Sequence, residues 1–155
     1  MPEKIKVALV GLGNCFSGLI QGIEYYSKNP SQKVTGIIHE NLRDYTIHDI
    51  EFVAGFDVGA NKIGKPINEA IYESPNMVDW IDKNDMPKAN GNVYESPALD
   101  GVGIWVENKV KPIESGKSES ELREEIIKVL EETGTEIIVS YLPVGSEKAT
   151  QFWAQ

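Results

Sequence analysis

The stretch VALVGLGN, residues 7–14, constrains this chain more than any other. Four apolar residues, two of them β-branched, run into Gly-x-Gly with no polar residue between. The longer run 4–10, KIKVALV, therefore reads as a buried strand that stops where glycine begins. Beyond the glycines, Phe16, Leu19, Ile20 and Ile23 fall on one face at helical spacing, which predicts a helix over 15–26. Strand, glycine turn and helix in that order make half of a βαβ unit.

The rest of the chain is consistent with an α/β domain. Residues 27–49, with Asn29, Pro30 and Gly36, read as an insertion before a second strand at 50–56 that ends on Asp57. Gly64 and Pro66 break 61–71 into two short helical turns. Residues 74–91 are rich in Pro, Asn and Asp, and a short strand is expected around Val93 and Tyr94. The clearest helix is 118–134: Ser118 and Glu121 fit a capping box, Leu122, Ile126, Val129 and Leu130 share a face, and Gly134 is a C-terminal stop. The run EIIVSYLP predicts a buried strand. Ser146 is then the expected N-cap of a helix that turns Ala149, Phe152 and Trp153 inward.

The chemistry suggested by this order is phosphate binding. The positive end of a helix can receive a dinucleotide pyrophosphate, and glycines at 11 and 13 let the backbone approach it. Phe16 is large where the usual third glycine stands, so Gly18 and Gly22 are expected to supply close packing one turn on. A plain glycine turn with no ligand is the competing reading. Asp57, at the end of the second strand, can accept from both adenosine ribose hydroxyls and repel a 2′-phosphate, which favours NAD over NADP. The same carboxylate can instead cap the turn that follows it. Ser140 and the backbone of Leu142, Pro143 and Val144 follow the last strand, at the edge where ligands lie in open α/β sheets.

Other residues carry weaker readings. Cys15 near the helix start reads as a small residue beside the cofactor, since no base can be placed next to it. His39 and His48 lie near Glu40, Asp44 and Asp49, but the spacing matches no metal pattern, and no metal is assigned. A formal charge of −9 lacks the basic footprint for nucleic acid and disfavours anionic membranes. No apolar run reaches the ~18 residues of a membrane span. A single cysteine allows no internal disulfide, and a cytoplasmic location is expected.

Four blocks in order, VALVGLGNCFSGLIQGIEYY, HDIEFVAGFDVGANKIGKPINEAI, SPALDGVG and IIVSYLPVGSEKATQFWAQ, resemble the inositol-1-phosphate synthases of the archaeal and actinobacterial type. The resemblance implies the N-terminal portion of a Rossmann-like NAD-binding domain over 1–155, a parallel sheet flanked by helices and incomplete at this length. It implies NAD as cofactor and glucose 6-phosphate as substrate of the full enzyme. That sugar phosphate is oxidised, enolised, cyclised by intramolecular aldol addition and reduced to inositol phosphate, in a homo-oligomer that is tetrameric in the family. Gly11, Leu12, Gly13, Asn14 and Cys15 fall on the pyrophosphate turn, Asp57 on the ribose acid, and Ser140, Leu142, Pro143 and Val144 on the loop beside NAD. Asp100 matches the family's Asp-Gly turn. Family members are more than twice as long, with their reaction centre outside the matching blocks. No catalytic residue is therefore assigned, and this chain alone is expected not to turn over substrate. An NAD-dependent oxidoreductase of another type and a non-catalytic nucleotide-binding module are the alternatives.

Overall fold

The structure is a computed structural model that describes residues 3–29, 36–88, 90–102 and 107–155. Four parallel strands form one sheet in the order β3-β2-β1-β4: β1 is Ile5–Val10, β2 Ile50–Asp57, β3 Asn92–Glu95 and β4 Ile137–Ser140. The chain steps outward from β1 to β3 and then returns to the far side of β1. That reversal opens a crevice between the carboxyl ends of β1 and β4, as in doubly wound α/β sheets. The expected α/β, Rossmann-like fold is what the chain adopts.

Helices cover both faces. Helix α1 (Asn14–Lys28) and the single turn α2 (Ile67–Ala70) pack on one side, where Leu9, Phe16, Ile20, Ile67 and Ile71 are buried. On the other side α3 (Glu119–Thr133) and α4 (Glu147–Trp153) bring Ile126 and Phe152 against Ala8, Val10, Ala54 and Phe56. Helix α3 begins and ends where its end signals put it. Ser118 and Glu121 close a reciprocal capping box, and Gly134 terminates the helix in the left-handed conformation at φ 64°. The insertion after α1 hides a second such box: Thr46 and Asp49 cap a 3-10 turn that feeds directly into β2.

Three local expectations are corrected. The buried face of α1 is rotated from the apolar one: Ser17 and Gln21 are fully buried, whereas Leu19 is 39% exposed. Polar burial succeeds there because the Gln21 amide donates to the Val78 carbonyl (2.8 Å) and accepts from the Ile81 N–H (3.1 Å). These bonds pin segment 78–81 along the helix. Strand β4 forms but is not buried, with Ile137 46% and Ile138 41% exposed. It pairs with β1 alone among the described residues, so it is an edge. Gly18 and Gly22 do not supply close packing: a Cβ at Gly22 would meet nothing within 4 Å, and one at Gly18 only the Trp80 ring at ordinary contact distance. The glycine turn instead packs closely on β2 at Gly55, where a Cβ would come within 3.1 Å of the Leu12 side chain.

Candidate functional site

The carboxyl ends of all four strands converge on a cavity of about 260 Å³, reached by Val10 and Gly11 from β1, Asp57 from β2, Ser96 just after β3, and Tyr141 and Leu142 after β4. A larger cavity, about 510 Å³, opens at the opposite ends of the strands around Lys4, Ile23, His48 and Glu51. It holds none of the turn residues, and the α/β architecture places ligands at the carboxyl ends. The smaller cavity is therefore the candidate site.

Its floor is the glycine turn. Gly11 has φ +81° while its N–H still pairs with the Phe56 carbonyl (2.9 Å), so the chain leaves the sheet in one residue. A Cβ there would lie 3.2 Å from the Tyr141 carbonyl oxygen as well as in a strained conformation. Helix α1 follows with Gly13 at its N-cap, no side-chain cap bond and no acid in its first turn. Its positive end therefore faces the cavity with no counter-charge from its own first turn.

The turn is also clamped. The Leu12 N–H donates to Asp57 Oδ2 at 2.8 Å, and the Gly59 N–H donates to Oδ1 at 2.8 Å. Asp57, only 8% exposed, thus ties the first strand–helix turn to the second and also caps the turn that follows it. A carboxylate offers about four lone-pair sites, so two N–H bonds leave acceptor capacity for a ligand. Lys62, 4% exposed, donates to the Leu12 carbonyl at 2.7 Å and sits 3.6 Å from Asp57 Oδ2. Asn76 donates to the same carbonyl at 2.9 Å.

The residues singled out in the sequence divide among three places. Gly11, Gly13, Asn14, Cys15, Asp57, Leu142 and Pro143 line the cavity. Cys15 is an exposed free thiol on its wall, and the Asn14 side chain accepts from the Met77 N–H at 2.8 Å. Leu12 lies beneath, its side chain fully buried and only its peptide groups in the turn network. Asp100, Ser140 and Val144 stand apart. Asp100 caps α4, accepting from the N–H groups of Lys148 (2.8 Å) and Ala149 (2.9 Å). Those bonds, the one from Lys148 foremost, hold its carboxyl below the usual carboxylate range against a smaller opposing effect of burial. Ser146, at the N-cap position as expected, makes no capping bond, and its Oγ is buried without a hydrogen-bond partner among the described residues. Val144 points wholly into solvent.

Lys62, Asn76 and Ser96 also line the cavity and were not legible as site residues. Only Ser96 had a signal: it opens the SPALDG turn directly after a strand. Among the described residues, no group of three or more His, Cys, Asp or Glu is placed to hold a metal ion. No helix among them is long and apolar enough to cross a membrane.

No family model matches the chain. Individual relatives do. Inositol-3-phosphate synthase of Mycolicibacterium smegmatis is 40% identical over 153 residues, and that of Corynebacterium glutamicum 41% identical over 157, covering 98% and 97% of this chain. Over nearly all of its length the chain is similar to these inositol-3-phosphate synthases. It spans about 40% of the length of these synthases. Two solved structures share the fold: Ari2, with a TM-score of 0.76 and 26% identity, and a myo-inositol-1-phosphate synthase-related protein from Thermotoga maritima, with a TM-score of 0.68 and 21% identity. The first covers 98% of this chain and 43% of its own length, the second 90% and 35%.

Proposed function

We propose that this chain is the NAD-binding part of an inositol-phosphate synthase, and that the whole protein converts glucose 6-phosphate to inositol phosphate as a cytoplasmic homo-oligomer. The observation that carries the reading is the uncapped start of α1 behind a glycine turn, with a buried carboxylate at the end of β2 beside it. The residues fit a dinucleotide. First-turn N–H groups and the helix dipole suit a pyrophosphate, and the spare lone pairs of Asp57 suit a pair of ribose hydroxyls. The cavity of about 260 Å³ lies just under the roughly 300 Å³ at which small-molecule pockets begin, so it suits one half of a dinucleotide.

NAD, when bound, would supply a transient oxidant for the sugar phosphate. The chain's own residues bind and orient: Gly11 and Gly13 admit the phosphates, Asp57 selects the unphosphorylated ribose, and Leu142 and Pro143 form the wall toward β4. Asn14, Cys15, Asp100, Ser140 and Val144 belong to the same proposed cofactor surface, the last three from outside the cavity. No residue here is proposed to move a proton of the substrate.

Calorimetric titration of NAD and NADP into the chain, with Asp57→Asn as the comparison, tests the reading. The expected result is NAD binding that exceeds NADP binding and weakens about tenfold or more in the variant, the size of a lost charge-assisted hydrogen bond. A folded wild-type chain that binds NADP as well as NAD, or neither, would sink it.

A further inference from the structure

The middle residue of the glycine turn is held by side chains that a dinucleotide fingerprint does not require. The Leu12–Gly13 peptide has its carbonyl against Lys62 Nζ (2.7 Å) and Asn76 Nδ2 (2.9 Å), and its N–H against the Gly11 carbonyl (2.8 Å). Lys62 is already engaged by the protein, with two hydrogen bonds and an ion pair. An ammonium carries three N–H groups, and Lys62 faces the Leu12 carbonyl, Asn76 Oδ1 at 3.3 Å and the Asp57 carboxylate at 3.6 Å. It lines the cavity and yet is spent on the backbone around it.

This arrangement answers a problem that the glycines create. A Gly-x-Gly turn is permissive, and the peptide before Gly13 can rotate with little steric resistance. Rotated, it would turn the Leu12 carbonyl oxygen toward the place where a phosphate is to sit, setting one negative end against another. The ammonium holds that oxygen away from the cavity. It also balances the Asp57 carboxylate, which is buried with it and forms its ion pair with Lys62 alone among the described residues.

We propose that Lys62 is a positioning residue that, by fixing the Leu12–Gly13 peptide, keeps the glycine turn receptive to a diphosphate. The proposal rests on the dinucleotide reading above. It goes beyond that reading by making phosphate binding depend on what Lys62 does to the turn's own peptide.

The test titrates adenosine, ADP and NAD into wild type, Lys62→Met and Lys62→Arg, and follows the Gly13 amide by NMR without ligand. Lys62→Met is expected to weaken ADP and NAD about tenfold more than it weakens adenosine, whose ribose meets the Asp57 carboxylate that Lys62 also balances; tenfold is the scale of a lost charged hydrogen bond. The Gly13 amide should shift and exchange faster, and Lys62→Arg should recover part of both effects. Adenosine weakened as much as ADP would reduce Lys62 to a general structural role, and unchanged ADP binding would remove it altogether; either overturns the proposal. Should Lys62→Met not fold, Asn76→Ala is expected to give the same phosphate-selective loss at about threefold, since it removes one of two donors to that carbonyl, and its absence overturns the proposal equally. A wild-type chain that binds none of the three ligands refutes the dinucleotide reading itself. Wild-type binding with indifferent variants refutes only the role of Lys62.

Discussion

On the β1–β2 side of the cavity, polar contacts, most of them wholly or partly buried, tie the elements together. Asp57, Lys62 and Asn76 hold the Leu12 peptides, Asn14 holds Met77, and Gln21 holds segment 78–81. On the β4 side the backbone passes through Tyr141, Leu142, Pro143 and Val144 with Tyr141 53% exposed and Val144 fully exposed. One wall is preorganised by polar contacts, and the other rests on a single strand pairing, an edge-on contact between Phe16 and Tyr141, the packing of Leu142 on the core and the Asp100 cap of α4. Local stability follows buried, satisfied contacts, so the half proposed to receive adenosine and phosphates should resist opening, and the half beyond β4 should yield.

The two walls should differ most in their response to substitution at Gln21. Replacing it by alanine removes the donor to Val78 and the acceptor from Ile81 and leaves a void in a fully buried site. The expected cost is about 2–3 kcal/mol in urea denaturation, from unpaired buried groups. A cost under ~0.5 kcal/mol, the range of ordinary surface substitutions, would mean that the first wall is no better anchored than the second.

A smaller and pH-dependent effect is expected at Asp100, on the β4 side. Its folded carboxyl lies below the ordinary range, so its contribution is present above that range and lost as pH falls through the folded value. Asp100→Asn should lower the melting temperature near neutral pH, and the gap from wild type should narrow as pH drops below about 4. Melting curves with a constant gap across that window would show that the charge does not matter to the α4 cap.

The smallest effect sharpens the contrast. Val144→Asp should leave folding stability within ~0.5 kcal/mol of wild type, because the side chain touches only solvent. A larger loss by thermal melting would show that the second wall is more ordered than its exposure implies.

Much of the fold could be read from the sequence because its signals are local. The Gly-x-Gly after an apolar run, the Ser118–Glu121 box and Gly134 each specify structure within a few residues. The lateral position of a strand is not a local property. The run at Ile137–Ser140 announced a strand, but apolar character could not tell an edge from a centre. The site divides the same way. Glycines and the strand-end Asp57 are recognisable by type and place, whereas Lys62 and Asn76 meet a main-chain oxygen 50 and 64 positions away. A carbonyl has no side-chain identity, so nothing in the residues near Leu12 points to either partner. Ser146 shows the converse: a good capping residue in the right position whose task is taken by Asp100 from another turn.

The central strand also has a history in time. β1 is flanked by β2, which follows soon after it, and by β4, whose edge contacts include a bond from the Lys6 N–H to a Glu136 carboxylate 130 positions later. At the ribosome's roughly 5–20 residues per second, that second neighbour emerges about 4 to 16 seconds after β2 has made the first contacts possible. Throughout that interval the most apolar strand of the sheet is paired along one edge only. The nascent chain is then most exposed to wrong pairing at its own first strand, and a chaperone acting on it would do most by shielding residues 5–10.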